Sequence, residues 1–220
     1  MLEAIQQLCS YVCHALPERT FSFGGRPLPL CARCVGVYLG FALTLFWFAA
    51  TPLRRRRLVP GALLWLMVVI IALFAVLGFA GLYGALLLPD GLRFLLGAGF
   101  GFALGTLAFP LVREWFLGLS SEEWRGRDVC TFLALPVLLA MLGFVAQWGP
   151  ALLFWPIVVV AVLGLVGSHF LADLLILKWL LLSRRSWSVR LGAALGVLAM
   201  LMCAGEFLFY AAWRRFWQVV

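Results

Sequence analysis

The stretch VPGALLWLMVVIIALFAVLGFAGLY, residues 59–83, contains no charged side chain. A bilayer core needs about 20 apolar residues per helix, because a backbone polar group left unpaired in lipid costs several kcal/mol. This stretch meets that length with a margin, and it decides the class of the whole chain. Five further segments meet the same test, at roughly 35–52, 92–112, 129–147, 152–178 and 190–213. The expectation is therefore an all-α integral membrane protein, a six-transmembrane-helix bundle over 35–220, preceded by a short cap over 1–34. Composition agrees, with 12% charged residues and 65% hydrophobic ones in 220, against the soluble norm of about a quarter charged. The apolar runs leave no room for a soluble domain of ordinary size.

The net charge of +8 is explained by arginines that flank the apolar runs, where they set topology and meet anionic lipid headgroups, so no nucleic-acid partner is expected. Arg54 to Arg57, then Arg113, Arg125 and Arg127, then Arg184 and Arg185 lie between successive pairs of spans. The loops that hold them are expected on the cytoplasmic side, with both termini outside, although Arg19, Arg26 and Arg33 before the first span pull the other way. The first residues lack the basic start and uninterrupted apolar run of a cleaved signal. Gly97, Gly101 and Gly105 recur every four residues and form a stripe that lets a neighbouring backbone approach closely. Packing within one bundle is the expected use of the stripe, with homo-oligomer formation as the alternative.

Chemistry concentrates in the cap. Residues 2–16 lack Gly and Pro and are expected to form a short surface helix stopped by Pro17, with Cys9 and Cys13 on one face. TFSFGGRPLPL then reads as two extended runs joined at Gly24 and Gly25, with Pro27 and Pro29 confining the second run to an edge or an irregular extension. That turn brings Cys31 and Cys34 back toward Cys13 and His14. The C-x-x-C pair and its distance from His14 fall near the spacing of structural zinc modules. Because Cys13 and His14 are adjacent and can share one ion only through a tight backbone turn, Cys9 is an alternative fourth ligand.

Three readings compete for this cluster. Three thiolates and one imidazole suit zinc, and also copper(I). Cys31 and Cys34 at a helix amino terminus beside Arg33 suit thiol–disulfide exchange. Plain disulfides would staple the cap in an oxidising compartment. The first is the expectation: a Cys3His cap of Cys13, His14, Cys31 and Cys34 with a structural or metal-handling role, and no catalytic residues. A membrane thiol oxidoreductase and an accessory subunit of a larger membrane complex are the alternatives.

The pattern C-H-x-x-P-E-R-[ST]-F, a glycine-containing turn, then P-L-C-A-R-C-x-G-x-Y-x-G resembles the signature of an uncharacterised family of small prokaryotic membrane proteins, a domain of unknown function. It is carried by Cys13, His14, Pro17, Glu18, Arg19, Phe21, Pro29, Cys31, Arg33, Cys34, Gly36, Tyr38 and Gly40, and continues into the third span at LRFLLGAGFG. The resemblance implies a prokaryotic inner (cytoplasmic) membrane and supplies no reaction. The family pattern also carries an acidic residue in its second span, in a D-G-x-x-Q-like stretch. This chain has IIALFAVLGFAG there, which implies that any family activity using that acid is lost or altered while the cysteine cap is kept for architecture.

Polar groups at membrane depth are the second clue, since they usually face a partner or a cavity. His169 and Asp173 lie four apart on one helical face, and Glu206 lies in the sixth span. They suit a proton or cation path, or a buried polar pair bonded to neighbouring helices. Asp90 and Arg93 at the edge of the third span are expected to meet the cap through Glu18 or Arg19. Glu122 and Glu123 read as a capped, solvated turn. No phosphate loop, H-E-x-x-H or G-x-S-x-G motif is present.

Overall fold

The computed structural model describes residues 2–10, 12–13, 19–56, 59–82, 88–117, 122–181, 198–202 and 205. Five helices in it are long and apolar enough to cross a membrane. They are α2 (Ala32–Ala50), α3 (Gly61–Leu82), α4 (Asp90–Leu117), α5 (Gly126–Trp148) and α6 (Phe154–Leu181). Residues 198–202 are helical. Apart from Gly205, the rest of the expected sixth span, with Glu206, lies outside the described residues.

The glycine stripe is used inside the chain. A side chain at Gly97 would strike the Arg33 carbonyl and one at Gly101 the Val37 carbonyl, while Gly105 faces Thr44. The stripe is reciprocated on α2, where Gly36 faces the Phe94 carbonyl and Gly40 faces Ala98. Residue numbers rise together along both helices, so α2 and α4 run parallel with their backbones in contact. Between apolar helices in lipid such close approach supplies the packing that burial supplies in water. Gly164 of α6 meets the Tyr38 carbonyl on another side of α2, which makes α2 the central helix. Trp47 Nε1 donates to the Thr131 carbonyl of α5 at 3.0 Å. By contrast α3 packs chiefly on α4 among the described residues, through Phe74 stacked on Phe100 at 4.2 Å, and meets α2 where Gly78 faces the Arg33 side chain. Met67 is its one buried side chain among those described.

At the start of α2 lies the cap. α1 (Leu2–Ser10) is followed by a two-stranded hairpin, β1 (Ser22–Phe23) paired antiparallel with β2 (Arg26–Pro27). Gly24 and Gly25 take φ of +56° and +76°, the left-handed pair that a tight hairpin turn requires. The turn is seated on the α5–α6 connection: Gly24 N donates to the Gly149 carbonyl at 3.1 Å, and a Cβ on Gly149 would strike the Ser22 carbonyl. Phe21 packs on Phe94 with ring centroids 5.9 Å apart. Phe23, Leu28 and Leu30 join Val35 and Leu39 in one buried cluster. The cap is thus locked to α2, α4 and the α5–α6 turn.

Gly149 (φ +58° and a clash) and Gly25 (φ +76° and open space among the described residues) separate backbone strain from contact. Gly25→Ala is expected to cost about 1 kcal/mol, the left-handed penalty alone. Gly149→Ala is expected to cost about 2 kcal/mol or more, because strain adds to collision with the hairpin. Thermal unfolding in detergent reads the difference; equal shifts would deny that the hairpin presses on this turn.

The opposite end of α2 is polar. Arg56 follows the 3-10 turn Pro52–Arg55 and is buried, with its Nε 3.1 Å from Asp128 Oδ2 and its Nη1 2.9 Å from Glu122 Oε2. Glu122 N donates to the Arg55 carbonyl at 2.8 Å. Arg113 Nη1 donates to the Arg54 carbonyl at 2.7 Å. Glu122, expected in a solvated turn, is exposed but tied to Arg56; Glu123 is exposed and its carbonyl accepts from Arg56 at 2.7 Å.

Candidate metal centre

Cys13 sits just beyond α1, where Cys13 N donates to the Cys9 carbonyl at 3.0 Å. The hairpin carries the chain back, so that Cys31 becomes the residue capping the amino terminus of α2 and Cys34 falls in its first turn. Cys31 N donates to Cys13 Sγ at 3.3 Å across 18 residues of chain. The Sγ atoms of Cys13, Cys31 and Cys34 all lie within 4.8 Å of one another. Tetrahedral zinc with bonds of about 2.3 Å needs sulfurs about 3.8 Å apart, so an ion is accommodated by side-chain adjustment of an ångström or less. The three sulfurs could hold a metal ion.

Cys9 stands outside this trio among the described residues. It is fully buried, and burial pushes its thiol up to about 11, which suits an inert packing residue. His14 and Glu18 lie outside the described residues. Within the trio the thiols are pushed in opposite directions. Cys13 is held up, first by its hydrogen bond to Cys31 and further by burial. The Cys31 thiol is drawn far below the ordinary range, first by the Cys13 hydrogen bond, then by that of Cys34, with Arg33 adding its positive charge. A thiolate is the form in which sulfur binds metal.

Charged groups of both signs lie near Cys31. Arg93 Nη1 lies 3.6 Å from Asp90 Oδ1, so these two pair with each other within α4. Asp90 is also within electrostatic reach of Arg19 and Cys31. Arg33 therefore places positive charge beside Cys31, while Arg19 and Arg93 place theirs beside Asp90. Tyr38, one turn beyond Cys34, is within reach of Cys34, Cys13, Cys9 and Cys31. Its spacing of four from Cys34 was the available signal for a residue that sequence reasoning did not assign to the site.

The intramembrane polar groups are elsewhere. Gly164 is level with Tyr38, so Asp173 lies roughly 20 Å further along the bundle than Cys34, at 1.5 Å per residue. His169 Nδ1 is 2.9 Å from the Leu165 carbonyl; a carbonyl only accepts, so that nitrogen carries the proton. Asp173 is buried.

Comparison with known proteins follows the same division of the chain. A family model described as "Predicted membrane protein (DUF2085)" matches residues 13–107, from Cys13 through the glycine stripe of α4. An uncharacterized protein of Methanothermobacter thermautotrophicus is 39% identical over 97 residues, which are 44% of this chain and 84% of that protein. An uncharacterized protein of Methanocaldococcus jannaschii is 28% identical over 105 residues, 48% of this chain and 66% of that protein. No solved structure matches. The shared region holds the cysteine trio and the α2–α4 pair that carries it, and on that ground the chain belongs to the DUF2085 family of predicted membrane proteins.

Proposed function

We propose that this chain is a multi-pass membrane protein whose amino-terminal cap, residues 1–34, binds zinc through Cys13, His14, Cys31 and Cys34. The role is structural or metal handling. The carrying observation is the convergence of three sulfurs from two separate segments within 4.8 Å. His14, adjacent to Cys13, is the proposed fourth donor. A site closed by four such ligands stabilises the cap, and copper(I) is the competing ion because thiolates also suit it. The six-helix bundle, with both termini on the outer side of a prokaryotic inner membrane, completes the proposal.

Elemental analysis of the purified chain tests it. About one zinc per chain is expected in the wild type, and loss of that zinc in Cys31→Ser and in Cys34→Ser. Chelation is expected to lower the unfolding temperature of the wild type and to leave both variants unmoved. A wild-type chain without metal whose free-thiol count shows disulfides defeats the proposal.

A further inference from the structure

The converging sulfurs are free thiols and are unequally accessible. Cys13 is buried and anchored by the Cys31 amide, whereas Cys31 and Cys34 are half-buried at the very end of α2. An incoming small molecule meets Cys31 or Cys34 before Cys13. Those two are separated by two residues across one helical turn, the spacing at which C-x-x-C pairs close into disulfides. The same sulfurs therefore have two mutually exclusive uses, as metal ligands and as a disulfide.

We propose that the cap is a redox-released metal site, in which thiol–disulfide exchange at Cys31 with a low-molecular-weight disulfide withdraws two ligands and frees the ion. The inference rests on the metal reading above. In the first step the Cys31 thiolate attacks one sulfur of RSSR, a Cys31–SR bond forms, and RS⁻ leaves. In the second the Cys34 thiolate attacks the Cys31 sulfur, the Cys31–Cys34 bond forms, and the second RS⁻ leaves. The two cysteines lose two electrons, the small disulfide gains them, and both RS⁻ ions take protons from water. Cys13 keeps its thiol, and the ion, having lost two sulfurs, dissociates.

The test uses the full chain in detergent, loaded with zinc and treated with oxidised glutathione, with released zinc read by a chromophoric chelator and thiols counted by alkylation and mass. The expected result is release of about one zinc per chain, at least about tenfold faster than in buffer, with loss of two thiols. Dithiothreitol with added zinc restores binding. Cys34→Ser is expected to stop at a glutathione adduct on Cys31, and Cys9→Ser to behave as wild type. The wild-type chain gives the same order without a variant: the Cys31 adduct must precede the Cys31–Cys34 disulfide in a time course. Zinc that binds but leaves no faster under oxidised glutathione, with all thiols intact, overturns the redox inference and leaves the metal reading standing. A first adduct on Cys13 overturns the assigned order of attack. A reduced chain that takes up no zinc defeats the metal reading, and this inference with it.

Discussion

Gly101→Leu is expected to separate α2 from α4 and to lower stability by more than about 3 kcal/mol, above the usual range for overpacking. The excess follows from what the new side chain meets. At Gly101 the nearest atoms are the Val37 carbonyl and the Phe41 amide, and backbone cannot move aside by changing rotamer. Even alanine is expected to destabilise there, although alanine outperforms glycine in a helix by about 1 kcal/mol. Gly167 on α6 is the control, since among the described residues nothing lies within 4 Å of its missing side chain; Gly167→Ala is expected to be neutral or stabilising. At Gly97 the contact is the carbonyl of Arg33, which stands between two of the proposed ligands. Gly97→Leu is therefore expected to lower zinc content as well as the unfolding midpoint. Gly101→Ala and Gly167→Ala of equal stability would contradict the close approach.

Much of this arrangement was legible from residue types. Apolar runs located all five of the described membrane-length helices, because a lone segment crossing lipid pairs its own backbone polar groups as a helix. Gly24–Gly25 announced the hairpin turn, since only glycine takes two left-handed residues without strain. The helix ends were less legible. α4 runs to Leu117, past Arg113 and Glu114, where an apolar window stops at charge but backbone hydrogen bonding does not. The glycine stripe announced an interface without naming its partner, which depends on how α3 returns the chain to α2. In the cap the spacing of Cys13, Cys31 and Cys34 foretold their meeting. That Cys9, one turn from Cys13, would be left in the apolar cluster depended on packing of α1. The polar end of α2 was the least legible. Arg56 reads like its neighbours in a run of four, and only the fold buries it against Asp128.

That burial leads to the second large effect. Arg56→Met is expected to cost about 3–5 kcal/mol, because it leaves the Asp128 carboxylate buried without its cation. Asp128 would keep one hydrogen bond, from Arg125 N at 2.6 Å, which does not replace a guanidinium. Glu122 contributes much less, since its side chain is 46% exposed; Glu122→Gln is expected to cost less than about 1 kcal/mol. The double variant Arg56→Met with Asp128→Asn removes both charges and is expected to recover a large part of the single loss, a coupling energy on the order of 2 kcal/mol. Denaturation of the four proteins in one detergent measures this cycle. Additive losses would mean that Arg56 acts through packing of its stem rather than through charge. Strong coupling would mean that an ion pair fastens the end of α2 to the start of α5, at the opposite end of the helix that carries Cys31 and Cys34. In that case Arg56→Met should loosen the fold while zinc content per folded chain stays near the wild-type value, because the sulfurs are held by the hairpin and the glycine contacts rather than by this pair.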